Sequence, residues 1–321
     1  MKDLFGREIT YLRISVTDRC NFRCSYCMPP EGICKLKHED ILRNEEIVEI
    51  VKEMALYGIR KIRLTGGEPL IRKGIVDLVR EIKQIEGISE ITMTTNGYFL
   101  EEMLDDLIDA GLDRVNISID SLKPEKFETI TRGGKLDVVL NAIDAAYNSK
   151  LRKVKLNIVL IGGFNDDEIE DFVDITKSRD IDVRFIELMP IGVAADWSKE
   201  KFVSNDLVLE KVSELKPIDY FDKSSPARYY QKEGNSGLVG LINPISCNFC
   251  SNCNRIRLTS DGKIKPCLHS DEEIDLLDAI RNHPEDVGEF IKQGVINKPK
   301  EHHINDIGFM PVMRDMNKIG G

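Results

Sequence analysis

For its first two thirds the chain alternates between two hydrophobic periods, and that alternation leaves it few folds. Period-two stretches at Tyr11–Thr17, Lys61–Thr65, Glu90–Thr94, Arg114–Asp120, Lys153–Ile161 and Asp182–Met189 predict strands. Amphipathic stretches lie between them. Asn44 is expected to cap a helix that ends at Gly58, and others are predicted from about Ile75 to Gly87 and from Leu100 to Gly111. Asp137–Asn148 and Asp166–Arg179 follow the same pattern. Strands joined by crossover helices pair in parallel. The reading is therefore α/β, a partial (β/α)6 TIM-like barrel over residues 1–216, in preference to a flat nucleotide-binding sheet.

Strand parity sharpens this expectation, because successive side chains of a strand point to opposite faces. One parity is apolar, as in Leu12, Ile14 and Val16, or Val115, Ile117 and Ile119. The other is polar: Arg13, Ser15 and Thr17; Arg63 and Thr65; Thr92 and Thr94; Asn116, Ser118 and Asp120; Lys155 and Asn157. The apolar face suits packing beneath helices, which leaves the polar face inside. A polar interior is costly unless water or a charged ligand satisfies it. An antiparallel sheet with one wet face would show the same parity, but the intervening helices disfavour it.

After Met189-Pro190 the rhythm breaks. Residues Ala194–Phe202 read as a loop and Asn205–Leu215 as a helix. Residues 217–321 form a C-terminal extension, first β-rich, with a hairpin turn expected at Thr259–Gly262 and a helix at Asp271–Asn282.

The eight cysteines fall in two groups, four within Cys20–Cys34 and four within Cys247–Cys267. Two tight clusters read as metal sites more readily than as a disulfide framework. The first, Cys20-x3-Cys24-x2-Cys27, offers three ligands to a [4Fe–4S] cube and leaves one iron open. A zinc or disulfide staple is the alternative. The second places Cys250-x2-Cys253 thirteen residues before Cys267. Spacing alone also allows zinc here, with Cys247 or His269 as further ligands. In a strand, Cys253, Arg255 and Arg257 would share a face, and two guanidiniums beside a metal suggest an anionic ligand.

A net charge of −10 argues against a broad nucleic-acid surface. No apolar run approaches the ~20 residues of a membrane span, and no signal peptide is evident. A cytoplasmic protein without nucleic-acid or membrane partners is expected.

The first cysteine group, followed by Leu64-Thr65-Gly66-Gly67-Glu68-Pro69, resembles the radical S-adenosylmethionine (SAM) superfamily. Other segments narrow the resemblance: Thr94-Thr95-Asn96-Gly97, Asn116-Ile117-Ser118-Ile119-Asp120, Lys155-Leu156-Asn157, Arg184-Phe185-Ile186-Glu187-Leu188-Met189, the second cysteine group and the terminal Gly320-Gly321. Together with Arg13 they resemble the molybdenum cofactor biosynthesis protein A family, the GTP 3′,8-cyclases, over essentially the full chain.

The resemblance implies two [4Fe–4S] clusters. Cys20, Cys24 and Cys27 would hold the one that binds SAM, with Tyr26, Gly67, Ser118 and Met189 contacting SAM. Cys250, Cys253 and Cys267 would hold a second, whose open iron meets guanine. GTP would be bound by Arg13, Arg63, Thr94, Lys155, Arg255 and Arg257. Cys247 could ligate in a C-x2-C-x2-C run, but the resemblance makes it a bystander, and Cys34 is expected to be an unliganded thiol. A cellular reductant and cyclic pyranopterin monophosphate synthase are implied as partners, the latter by product hand-over. Another radical SAM enzyme with an auxiliary cluster, such as a peptide maturase, is the competing enzyme reading, and an iron–sulfur electron carrier the non-enzyme one.

Overall fold

The computed structural model describes residues 1–33, 36–247, 249–306, 309, 311–312 and 314–320. Cys34 and Gly321 therefore lie outside the described residues.

The six expected strands form: β1 (Tyr11–Ser15), β2 (Lys61–Thr65), β3 (Glu90–Thr95), β4 (Arg114–Ser118), β5 (Lys153–Leu160) and β6 (Ile181–Glu187). β1, β4 and β6 stop two residues early, because the chain beyond them turns into loops that carry the site. Six more strands follow: β7 (Lys216–Pro217), β8 (Ala227–Gln231), β9 (Val239–Ile242), β10 (Arg255–Leu258), β11 (Lys263–Lys265) and β12 (Ile274–Asp275). All twelve join one sheet in the order β12-β11-β10-β1-β2-β3-β4-β5-β6-β9-β8-β7. The stretch from β10 to β9 is parallel throughout. The C-terminal extension thus lengthens the barrel wall at both edges, β10 beside β1 and β9 beside β6.

The principal crossover helices are α1 (Asn44–Leu56), α2 (Ile75–Lys83), α3 (Leu100–Asp109), α4 (Pro124–Thr131), α5 (Leu136–Tyr147) and α6 (Ile169–Asp174). Their apolar stripes bury Ile50, Leu78, Leu107, Val139 and Phe172 against Leu12, Ile62, Ile91, Ile117 and Leu156 of the sheet. Burying each such side chain stabilises the fold by about 1.5–3 kcal/mol. Gly58, with φ +94°, ends α1 in the left-handed conformation that favours glycine.

Several expectations needed correction. Arg43, not Asn44, is the N-cap of α1; its backbone N–H donates to Glu46 at 2.8 Å. Asn44 is instead drawn across to Arg72, whose Nε donates to its Oδ1 at 2.7 Å. The helix expected over 166–179 shrinks to a 3-10 turn and the single short α6. Within the loop expected at 194–202, Ser198–Lys201 makes one helical turn, α7, and the next helix, α8, spans only Asp206–Lys211. The helix expected from Asp271 begins at Leu277 (α9, Leu277–Asn282), because Ile274 pairs with Ile264 in the sheet. The last stretch adds α10 (Val287–Ile296) and α11 (Met316–Ile319). The expected hairpin is present, with Gly262 at φ +76° between β10 and β11.

Candidate active site

Parity delivers a polar lumen. The apolar faces of β1 to β5 pack into the core, while Arg13, Arg63, Thr94, Ser118 and Asn157 line an internal cavity of about 320 Å³. All six cysteines of the two expected triads line the same cavity.

The first triad sits on the loop after β1. Helix α4 holds that loop in place: the Arg23 and Ser25 N–H groups donate to the Thr131 and Ile130 carbonyls at 3.0 and 2.9 Å. Arg132 follows in a left-handed conformation and donates to the carbonyls of Arg23 and Met28, each at 3.0 Å. Gly66 and Gly67 press against this loop. A Cβ on them would lie 2.5 Å from the Thr17 oxygen and 2.1 Å from the Arg19 oxygen, so no larger residue fits without moving the cysteine loop. Gly67 N–H donates to Thr17 at 2.7 Å and Glu68 N–H to Arg19 at 2.8 Å. The glycines thus serve first as a close backbone seam, a role their place in the motif did not reveal.

Glu68 is fully buried and accepts from Leu70 N–H at 3.0 Å, Thr95 Oγ1 at 2.7 Å and Asn96 N–H at 2.7 Å. Burial outweighs these donors and pushes its carboxyl up to about 7. Asn96 Nδ2 in turn donates to Cys20 Sγ at 3.8 Å. Tyr26 lines the cavity and donates its hydroxyl to Asp120 at 2.7 Å. Burial raises Asp120 to about 6. Gly67 and Met189 also reach the cavity wall.

The second triad is assembled from two segments. A 3-10 turn at Cys250–Asn252 leads through Cys253 into β10, and Cys267 follows β11. Cys253 precedes the strand, but it lines the cavity with Arg255 and Arg257 as expected. Burial alone would raise the Cys253 thiol, yet Arg255 and Lys298 bring it down to about 6. In the first triad burial prevails, raising Cys20 to about 11 and Cys27 to about 12. Cys247 is exposed and stands outside the cavity wall.

A single tetrahedral zinc would draw its thiolates to about 3.8 Å from one another, given Zn–S bonds of about 2.3 Å. Among the described residues no three cysteines bring their sulfurs within 4.8 Å of one another. The wider spread suits a cube, in which each thiolate meets a different iron.

Five guanidiniums give the lumen its charge. Arg257 and Arg63 are both register partners of Arg13, so three arginines sit side by side on adjacent strands. Arg184 joins from β6 and was not singled out from sequence as a site residue, although its inward parity was a signal; it donates to Asn116 at 2.8 Å. Arg13 Nε, Arg63 Nε, Arg184 Nε and one terminal nitrogen of Arg255 are buried with no hydrogen-bond partner among the described residues. Burial and mutual repulsion push Arg13 well down and Arg257 down to about 10. Such a cluster fits an anionic ligand.

Lys155 occupies a different environment. Its ammonium meets Asp182 and the Tyr229 hydroxyl at 2.9 and 2.8 Å and lies 5.0 Å from the Tyr229 ring centroid. Its cost of burial is thus offset by Asp182, its register partner on β6. The C-terminus closes the cavity: Met316 and Asn317 line it, and the Gly320 carbonyl accepts from Arg257.

Comparison with known proteins agrees with this geometry. Residues 14–175 match the Radical SAM superfamily and residues 181–304 match Molybdenum Cofactor Synthesis C. The chain is 58% identical over 320 residues to the GTP 3′,8-cyclase of Peptoclostridium acidaminophilum, covering 99% of this chain and 98% of that one. It is 54% identical to that of Alkaliphilus oremlandii over all of both chains. In fold it resembles Streptococcus suis SuiB bound to S-adenosylmethionine, with a TM-score of 0.59 at 13% identity over 97% of this chain and 75% of the other. Native anSMEcpe with bound AdoMet gives a TM-score of 0.60 at 15% identity, over 92% and 82%. Two cysteine triads around one cationic lumen and this full-length similarity place the chain in the GTP 3′,8-cyclase family of radical SAM enzymes.

Proposed function

We propose that the chain converts GTP to (8S)-3′,8-cyclo-7,8-dihydroguanosine 5′-triphosphate, the first step of molybdenum cofactor biosynthesis. The observation that carries this reading is one cavity shared by both triads and by four arginines whose buried nitrogens have no hydrogen-bond partner among the described residues. Cys20, Cys24 and Cys27 would hold the cluster that chelates SAM, and Cys250, Cys253 and Cys267 the second cluster. When bound, the reduced first cluster and SAM supply the 5′-deoxyadenosyl radical that removes the ribose 3′ hydrogen.

The protein's own work is placement. Arg13, Arg63, Arg255 and Arg257, with Thr94, take the triphosphate, which carries about four negative charges. Lys155 is not among the residues that line the cavity, and its pairing with Asp182 leaves it little net charge to add to this field. Tyr26, Gly67, Ser118 and Met189 shape the SAM side. Holding C3′ and C8 in a near-attack arrangement is the main rate effect such a site can offer. The buried lumen keeps water from the radical.

The reaction also needs a one-electron cellular reductant, and its product would pass to cyclic pyranopterin monophosphate synthase. No helix among the described residues is long and apolar enough to cross a membrane, and we place the reaction in the cytoplasm. Anaerobic reconstitution with SAM, GTP and reductant, followed by mass spectrometry, tests the reading. An isomer of GTP should form together with 5′-deoxyadenosine. SAM cleavage with GTP unconsumed would reject it.

A further inference from the structure

The second cysteine group is held by two buried cations that belong to neither cysteine motif. Lys298 follows α10 and is only 3% exposed. Its Nζ donates to the Arg255 carbonyl at 2.8 Å and to the Pro266 carbonyl at 2.9 Å. Arg255 lies two residues after Cys253, and Pro266 immediately precedes Cys267. One ammonium therefore ties together the two segments that carry these cysteines.

Arg7 does the same for the remaining one. Its Nη1 donates to the Cys250 carbonyl and to the Lys300 carbonyl, each at 2.9 Å, and its Nη2 donates to Pro299 at 2.6 Å. Asp3 fixes the guanidinium through Nε at 2.6 Å. Residues 298–300 are the common knot: Lys298 reaches inward from it and Arg7 grips it from the N-terminal segment.

We propose that Lys298, with Arg7 behind it, is a positioning and potential-setting residue for the second cluster. The proposal rests on the two-cluster reading above. Backbone carbonyls cannot be held this way by an apolar residue, and a buried lysine whose donors go to carbonyls keeps its charge uncompensated by any carboxylate among these contacts. Lys298 lines the cavity beside Cys250, Cys253 and Cys267. A fixed positive charge there stabilises the electron-rich form of a cluster, so it raises the reduction potential.

The test uses full-length protein, reconstituted anaerobically, as parent, Lys298→Met and Lys298→Arg. Iron content, the rate of iron release to a chelator, and the midpoint potential of each cluster by EPR-monitored titration are measured. Lys298→Met should keep the first cluster and its SAM cleavage. Its second cluster should titrate at a more negative potential and release iron several-fold faster, and Lys298→Arg should restore both towards the parent. An unchanged potential and release rate in Lys298→Met would overturn the proposal. Loss of both clusters in Lys298→Met and Lys298→Arg alike would also overturn it, because that pattern belongs to general packing. A parent protein with only one cluster would instead reject the two-cluster reading itself.

Discussion

Arg13 of β1 and Arg257 of β10 are direct partners across two parallel strands, one from each end of the chain. Two like charges in register destabilise a sheet unless something between them is negative. Neither arginine is paired with a carboxylate among the described residues. The lumen is thus built at a cost that an anionic ligand offsets. Arg13→Ala and Arg257→Gln should each weaken GTP binding by about 1.5–3 kcal/mol. The ligand-free protein should melt no lower than the parent. Calorimetry with GTP and a melting curve without it check both halves.

Lys155 and Asp182 form the opposite case, a matched pair in a dry setting. Removing one partner of a buried pair leaves the other uncompensated, at a cost of about 3–5 kcal/mol. Asp182→Asn should therefore destabilise the fold, as read by chemical denaturation. Burial would raise the Asp182 carboxyl, but Lys155 and Lys153 overcome it and hold it below the usual range. The pair's contribution is present above the ordinary aspartate range and is lost as pH falls through the lowered value. The gap between parent and Asp182→Asn should close in acid.

Glu68 and Asp120 set a slope of the other sign. Burial holds their carboxyls at about 7 and about 6, so the folded chain keeps their protons where the unfolded chain has released them. Stability from Glu68 is complete below about pH 4.5 and declines as pH rises through about 7. The full effect is about 3 kcal/mol for a shift of this size. Glu68→Gln mimics the protonated form and should flatten much of the decline, measured by urea unfolding of the cluster-free protein between pH 4.5 and 8. An unaltered slope would contradict the assignment.

Much of this site was readable from the chain because strand parity is a local signal. Arg13, Arg63 and Thr94 could be placed in the lumen from their apolar neighbours alone. Cysteine spacing likewise marked both triads. What escaped was anything decided by long-range pairing. Asp182 neutralises Lys155 only because β5 and β6 meet in one register. Lys298 and Arg7 stand in segments without periodicity and act through backbone carbonyls, which leave no trace in side-chain patterns. Asn44 looked like a cap, but Arg72, from another segment, claims its side chain.

Cys247 separates a closed second cluster from an open one. Exposed and off the cavity wall, it should be replaceable. Cys247→Ser should keep about eight irons per chain, whereas Cys250→Ser should fall towards four, as expected for loss of one [4Fe–4S] unit. Equal losses in both variants would make Cys247 a ligand.

The central claim is that this lumen directs hydrogen abstraction to the ribose C3′ of GTP. GTP deuterated at C3′, incubated anaerobically with reconstituted protein, SAM and reductant, tests it most directly. The account predicts that 5′-deoxyadenosine carries the deuterium and accumulates together with the cyclised isomer of GTP. Unlabelled 5′-deoxyadenosine formed alongside intact GTP would contradict it.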